Sequence, residues 1–131
     1  MKKVLEYLKS CGTFYLATVE GDQPRVRPFG AVAEYEDKLY VVTNNKKEVY
    51  KQLLKNPKTE ICAMHKGTWI RVAGELVEDT RREARAAMMD ANEKALSSMY
   101  NIDDNLMTVF KFTHAVATIY SFTSEPEVIE F

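Results

Sequence analysis

Apolar positions along this chain change period several times, and each change marks an element. Residues 2–11 place Val4, Leu5, Leu8 and Cys11 on one face at helical spacing, and Gly12 follows where a left-handed C-terminal cap belongs. From Thr13 to Val19 the run TFYLATV is aromatic and β-branched, EGDQP supplies turn chemistry, and Pro24 opens a second extended run to about Tyr35. EYEDK predicts a turn and LYVVTN a strand ending at Thr43, so three antiparallel strands are expected in succession.

A helical period returns in NNKKEVYKQLLKNP. Val49, Tyr50, Leu53 and Leu54 share one face, lysines take the other, and Pro57 closes the segment. Asn45 and Glu48 have the spacing of a capping box. TEICAMH and TWIRVAGELVED, joined at Lys66 and Gly67, predict a second hairpin. Thr80 and Glu83 form a second capping box ahead of Ala84, Ala87, Met88 and Ala91, and that helix is expected to break near Asn92 and resume to Tyr100. LMTVFKFTHAVATIYSF predicts one or two strands, and the tail from Thr123 alternates weakly. One mainly β domain over residues 1–131 follows: a six- to seven-stranded antiparallel barrel with peripheral helices. Strands seldom alternate with crossover helices, which disfavours a doubly wound parallel sheet.

Composition removes several classes of function. Eighteen basic and 19 acidic residues nearly cancel, so no broad field draws the chain to nucleic acid or an anionic membrane, and any anion site must be local. An OB-like barrel for single strands would need a basic groove with exposed aromatics. No apolar run approaches the roughly 20 residues that span a bilayer, and MKKVLEYLKSCG lacks the core of a signal peptide, so a cytoplasmic protein is expected. Cys11 and Cys62 are expected to be reduced, buried and structural. With His65 and His114 the only histidines, no metal site is expected.

Candidate chemistry begins at PRVRPFG. In a strand Arg25 and Arg27 point to one face about 6.5–7 Å apart. They are either a joint anion clamp or a solvated face paired with Glu34 or Glu36. A second cationic feature lies at Thr43, Asn44, Asn45, Lys46 and Lys47, where a strand gives way to a helix. Unpaired N–H groups and partial positive charge at a helix start favour an anion, whereas lysines there are unfavourable unless something negative joins them. Adjacent strands of a meander would bring the two features together around a phosphate-bearing ligand. No nucleophile elbow, zinc-protease motif, Walker loop or dinucleotide glycine motif occurs. Trp69 and Phe29 fit core aromatics better than ring-stacking platforms.

DQPRVRPFG, LYVVTNNKKEVYKQLLKNP, TEICAM and TWIRVAGELVED together resemble the pyridoxamine 5′-phosphate oxidase-like FMN-binding split barrels over about residues 1–122. Smaller members of that family include 5-nitroimidazole reductases and general-stress flavoproteins. The resemblance implies a split barrel whose FMN phosphate is held by Arg27, Thr43, Asn44 and the lysines Lys46 and Lys47. It implies a homodimer with FMN at the subunit interface, backbone near Pro28 and Phe29 bordering the ring, and Trp69 approaching from the partner subunit. Arg25 is placed at the rim or against the partner. Strand faces bearing Trp69 and Ile70, and those near Phe112, are expected to carry the apolar interface. The function implied is electron transfer from a nicotinamide donor through FMN to a small acceptor such as a nitro compound, with no assigned catalytic side chain. The alternatives are a non-catalytic flavin or nucleotide sensor or carrier, and pyridoxamine 5′-phosphate oxidation. The ending YSFTSEPEVIEF lacks the oxidase's tryptophan and Arg-x-His, which places vitamin B6 oxidation last.

Overall fold

The computed structural model describes residues 1–131. In chain order the elements are α1 (Lys2–Cys11), β1 (Phe14–Glu20), β2 (Gln23–Phe29), β3 (Val32–Tyr35), β4 (Lys38–Asn44), α2 (Glu48–Lys55), β5 (Lys58–His65), β6 (Thr68–Asp79), α3 (Arg82–Ala91), α4 (Glu93–Leu96), β7 (Met107–Ser121) and β8 (Glu127–Glu130). Every pairing is antiparallel, in the order β2-β1-β5-β6-β7-β4-β3, with β8 added against the C-terminal half of β7. The weakly alternating tail thus supplies an eighth strand.

The run expected as one strand from Pro24 to Tyr35 divides at Gly30 and Ala31. Its first half pairs with β1 at one end of the sheet, and its second half pairs with β4 at the other. The sheet therefore curls until its two ends are joined by a few covalent residues. A single apolar cluster confirms the curl, because it contains Phe14 and Leu16 of β1, Ile61 of β5, Ile70 and Val72 of β6, Phe110 and Phe112 of β7, Leu39 and Val41 of β4 and Val32 of β3. The three strands expected in succession are not one meander, since β2 and β4 share no ladder.

Amphipathic helices close this interior. Val4, Leu5 and Leu8 of α1 and Val49 and Leu53 of α2 join the same cluster. Gly12 takes a φ of 75° and donates to the carbonyls of Leu8 and Lys9, which ends α1 where expected. A second cluster sets Ala84 and Met88 of α3 and Leu96 of α4 against Tyr40 and Val109 on the outer side of β4 and β7. Lys66 and Gly67 both take positive φ in the β5–β6 turn.

Neither expected capping box forms. The Nδ2 group of Asn45 donates to the Asn105 carbonyl, and α2 starts two residues later than expected, at Glu48 with Lys47 as its N-cap. Thr80 is likewise bypassed: Arg81 is the N-cap of α3, and its N–H donates to Asp79. Cys11 is partly buried and Cys62 exposed, both as free thiols, so the buried role expected of Cys62 does not hold. Ile70 and Phe112 lie inside the barrel and are unavailable to an interface.

Candidate functional site

The split creates the candidate site. β3 covers β4 only from Lys38 to Val41, leaving Val42, Thr43 and Asn44 paired on the β7 side alone. Residues 27–31 leave the opposite end of the sheet across that uncovered edge. Between them lies a cavity of about 220 Å3, bordered by Arg27, Pro28 and Phe29 on one side and Thr43 and Lys47 on another, with α4 and the residues after it as a third wall. Five of the nine expected site residues meet here. Arg25, Asn44, Lys46 and Trp69 do not line the cavity.

Arg27 is partly buried, and every acceptor it uses is neutral. Its Nη1 donates to the Leu16 carbonyl at 3.1 Å and the Thr18 hydroxyl at 2.8 Å, and its Nη2 donates to Gln52 Oε1 at 2.7 Å. Thr18 also donates to Gln52 Oε1 at 2.6 Å, so β1 and α2 orient the guanidinium together. These bonds fix the group without cancelling its charge, and burial pulls its pKa below the ordinary arginine value. Arg25, Arg71, Arg81 and Arg82 all pair with carboxylates. Arg85, which donates to two carbonyls, shares a different cavity with Glu78. No acidic residue lines the cavity of Arg27, whereas Lys47 does.

The remaining expected residues have separate fates. Arg25 points to the same side as Arg27 but is bound by Glu20 at 2.9 Å, so neither the joint clamp nor the pairing with Glu34 or Glu36 forms. Asn44 donates from Nδ2 to the Tyr100 hydroxyl at 3.0 Å and accepts the Lys46 N–H at its Oδ1, also at 3.0 Å. Lys46 is exposed and lies outside the cavity lining. Trp69 stands on the outer face of the sheet, stacked on Tyr120 with centroids 5.3 Å apart and leaning on Phe122.

Sequence reasoning missed the third wall, formed by Ala95, Leu96, Met99 and Tyr100. Their spacing carried a signal: Leu96, Met99 and Tyr100 stand at i, i+3 and i+4, a short apolar stripe. A larger groove of about 420 Å3 runs along α2, but Glu20 and Glu48 line it together with Lys51 and Lys55. Lys51 already lies 3.5 Å from Glu48, so that groove presents no comparable surplus of positive charge.

An antiparallel sheet that closes on itself around such a cationic cleft defines the split-barrel class. The model of the pyridoxamine 5′-phosphate oxidase family matches residues 1–118, and the chain belongs to that family. Among solved structures it is similar to a NimC/NimA family protein from Clostridium acetobutylicum, at 52% identity and a TM-score of 0.96 over 100% of this chain and 92% of that one. It also resembles General Stress Protein 26 from Bacillus anthracis, at 16% identity and a TM-score of 0.77 over 99% and 98% of the two chains. A pyridoxamine 5′-phosphate oxidase-related, FMN-binding protein from Nostoc punctiforme matches at 16% identity and 0.61, over 98% and 90%. The last two likenesses show the fold. A search of curated proteins returned no match.

Proposed function

We propose that this chain is an FMN-binding oxidoreductase that passes electrons from a nicotinamide donor to a small acceptor such as a nitro compound. The observation that carries the reading is the Arg27 guanidinium, oriented by neutral acceptors and left uncompensated beside Lys47 in an acid-free cavity. A phosphate monoester supplies the missing charge, and guanidinium forks suit its oxygens. Thr43 adds a buried hydroxyl, and the first N–H groups of α2 add unpaired donors. FMN fits this donor set. The likeness to a NimC/NimA family protein and to an FMN-binding protein supports the same choice.

Flavin supplies hydride and electron transfer when bound, so the chain needs to bind, orient and shield rather than contribute an acid or base. Arg27, Thr43 and Lys47 hold the phosphate, and Phe29 and Pro28 border the ring side. At about 220 Å3 the cavity is below the roughly 300–1,000 Å3 of sites that enclose a drug-sized ligand. One chain therefore supplies the phosphate end, and a homodimer completes the ring site, with Trp69 coming from the partner subunit. The uncovered sheet face bearing Met64, Trp69 and Phe122 gives that dimer an apolar surface.

Purified protein should show a flavin absorbance band, as isolated or after FMN is added. Its absence under both conditions overturns the proposal. Reduction by NADH or NADPH and reoxidation by a nitroaromatic compound should follow. A flavin that binds tightly but never cycles assigns the chain to the non-catalytic carriers instead.

A further inference from the structure

Asn44 sits where a phosphate donor was expected, yet both polar ends of its side chain are already engaged. Oδ1 accepts the Lys46 N–H, which shapes the β4–α2 loop, and Nδ2 donates to the Tyr100 hydroxyl across 56 positions of sequence. Tyr100 belongs to the third wall of the cavity, and its N–H returns to the Leu96 carbonyl at 2.8 Å, so the bond holds the end of α4 as a unit. α4 is a single helical turn, and Met99 beside Tyr100 is 60% exposed. A turn so short is not stable by itself. Its anchors are Leu96 in the second cluster, Asn92 donating to the Val32 carbonyl at 2.9 Å, and the Asn44–Tyr100 bond. Packing in that cluster brings the wall against Tyr40 and Val42 of β4, and the Asn44–Tyr100 bond is the hydrogen bond that ties it to the end of that strand and the loop that carries Lys47.

We propose that Asn44 and Tyr100 are positioning residues: their hydrogen bond clips the α4 wall over the cavity and thereby sets how long the flavin stays. The inference rests on the flavin reading for its ligand, but the clip itself is a property of the chain. A clip acts on the whole bound molecule, whereas a phosphate ligand acts on the phosphate alone. Tyr100→Phe leaves the ring and Asn44 in place and removes only the acceptor of the bond.

The test compares wild type and Tyr100→Phe in two measurements. In flavin-free protein, amide hydrogen exchange over residues 93–100 should quicken while β6 and β7 stay protected. FMN and riboflavin, which lacks the phosphate, should then dissociate faster from the variant by the same factor, about fivefold for one ordinary hydrogen bond. Asn44→Asp, which keeps an acceptor for Lys46 and offers one to the tyrosine hydroxyl, should retain slow exchange over residues 93–100. Unchanged exchange in Tyr100→Phe overturns the clip, and an effect on FMN without one on riboflavin overturns it in favour of a phosphate role. If neither protein binds flavin, the proposed function fails, and the exchange measurement still decides whether the bond holds the wall.

Discussion

Arg27 and Asp79 show how differently this chain treats its buried charges. Arg27 has no carboxylate partner, so replacement by glutamine should weaken FMN by roughly 10- to 100-fold, the worth of charge-assisted hydrogen bonds, and leave riboflavin nearly unchanged. Flavin fluorescence titration measures both. Asp79 is instead over-supplied: it accepts from the Tyr40 hydroxyl at 2.7 Å and from Arg81 at 2.8–3.1 Å, and Arg81 in turn reaches Glu36. The Arg81 side chain, working against burial, holds the Asp79 carboxyl well below the usual carboxylate range. Its folded value lies below the unfolded one of about 3.9, so the stability it adds is complete above that pH and is lost as pH falls toward the folded value. Urea unfolding midpoints of wild type should fall steeply below about pH 4, and those of Asp79→Asn less so. Tyr40, pushed up to about 12 by burial first and by the Asp79 hydrogen bond, stays a donor throughout. Tyr40→Phe should cost about 1–3 kcal/mol because it removes a buried hydrogen bond to a charged carboxylate, whose Oδ2 is then left to Arg81.

Among the elements, β6 and β7 impose the tightest fit. A Cβ added at Gly74 would collide with the His114 carbonyl oxygen and press on Ala115, next to the register shift between Glu75 and Leu76. Gly74→Ala should destabilise the protein by about 1–3 kcal/mol, read as a lowered urea midpoint at unchanged slope. Element identity was legible in the sequence because periodicity reports burial, and burial here alternates cleanly along β1 and β5. Helix starts were not. A capping box expresses a local preference, and here Asn45 is turned toward the Asn105 carbonyl while Asp79 rather than Thr80 takes the Arg81 N–H. The site was half legible for the same reason. Cationic residues at 27 and 47 declared themselves, but the Asn44–Tyr100 bond and the Arg25–Glu20 pair depend on where distant or adjoining segments settle.

For the whole molecule, the principal correction concerns Gly30 and Ala31. No local signal says that an extended run will surrender half its length to the far end of the sheet, since both halves carry strand-like sequence and only closure separates them. The face left uncovered afterwards carries large exposed apolar side chains around the Glu60–Arg71 pair: Val26 is 68% exposed, Met64 70% and Phe122 83%. A surface of this kind favours association. Light scattering should therefore find a dimer at micromolar concentration, and Phe122→Glu or Met64→Glu should shift it toward monomer while leaving the circular dichroism of the strands intact. A monomeric wild type contradicts that assignment.

The division at Gly30 also bears on how the protein reaches its native state. The β1–β2, β3–β4 and β5–β6 ladders are local hairpins, but β1–β5 and β4–β7 join partners distant in sequence, and these slow pairings are the ones that set Arg27 and Thr43 on the two sides of one site. A ligand held between Arg27 on one end and Thr43 on the other has no complete site in a partly assembled chain. Flavin present at 100 times its dissociation constant should then add about 2.7 kcal/mol against global unfolding while leaving the early folding phase at its ligand-free rate. The cofactor would act as a late inspector of closure, retained only by chains whose first and last-placed strands have found each other.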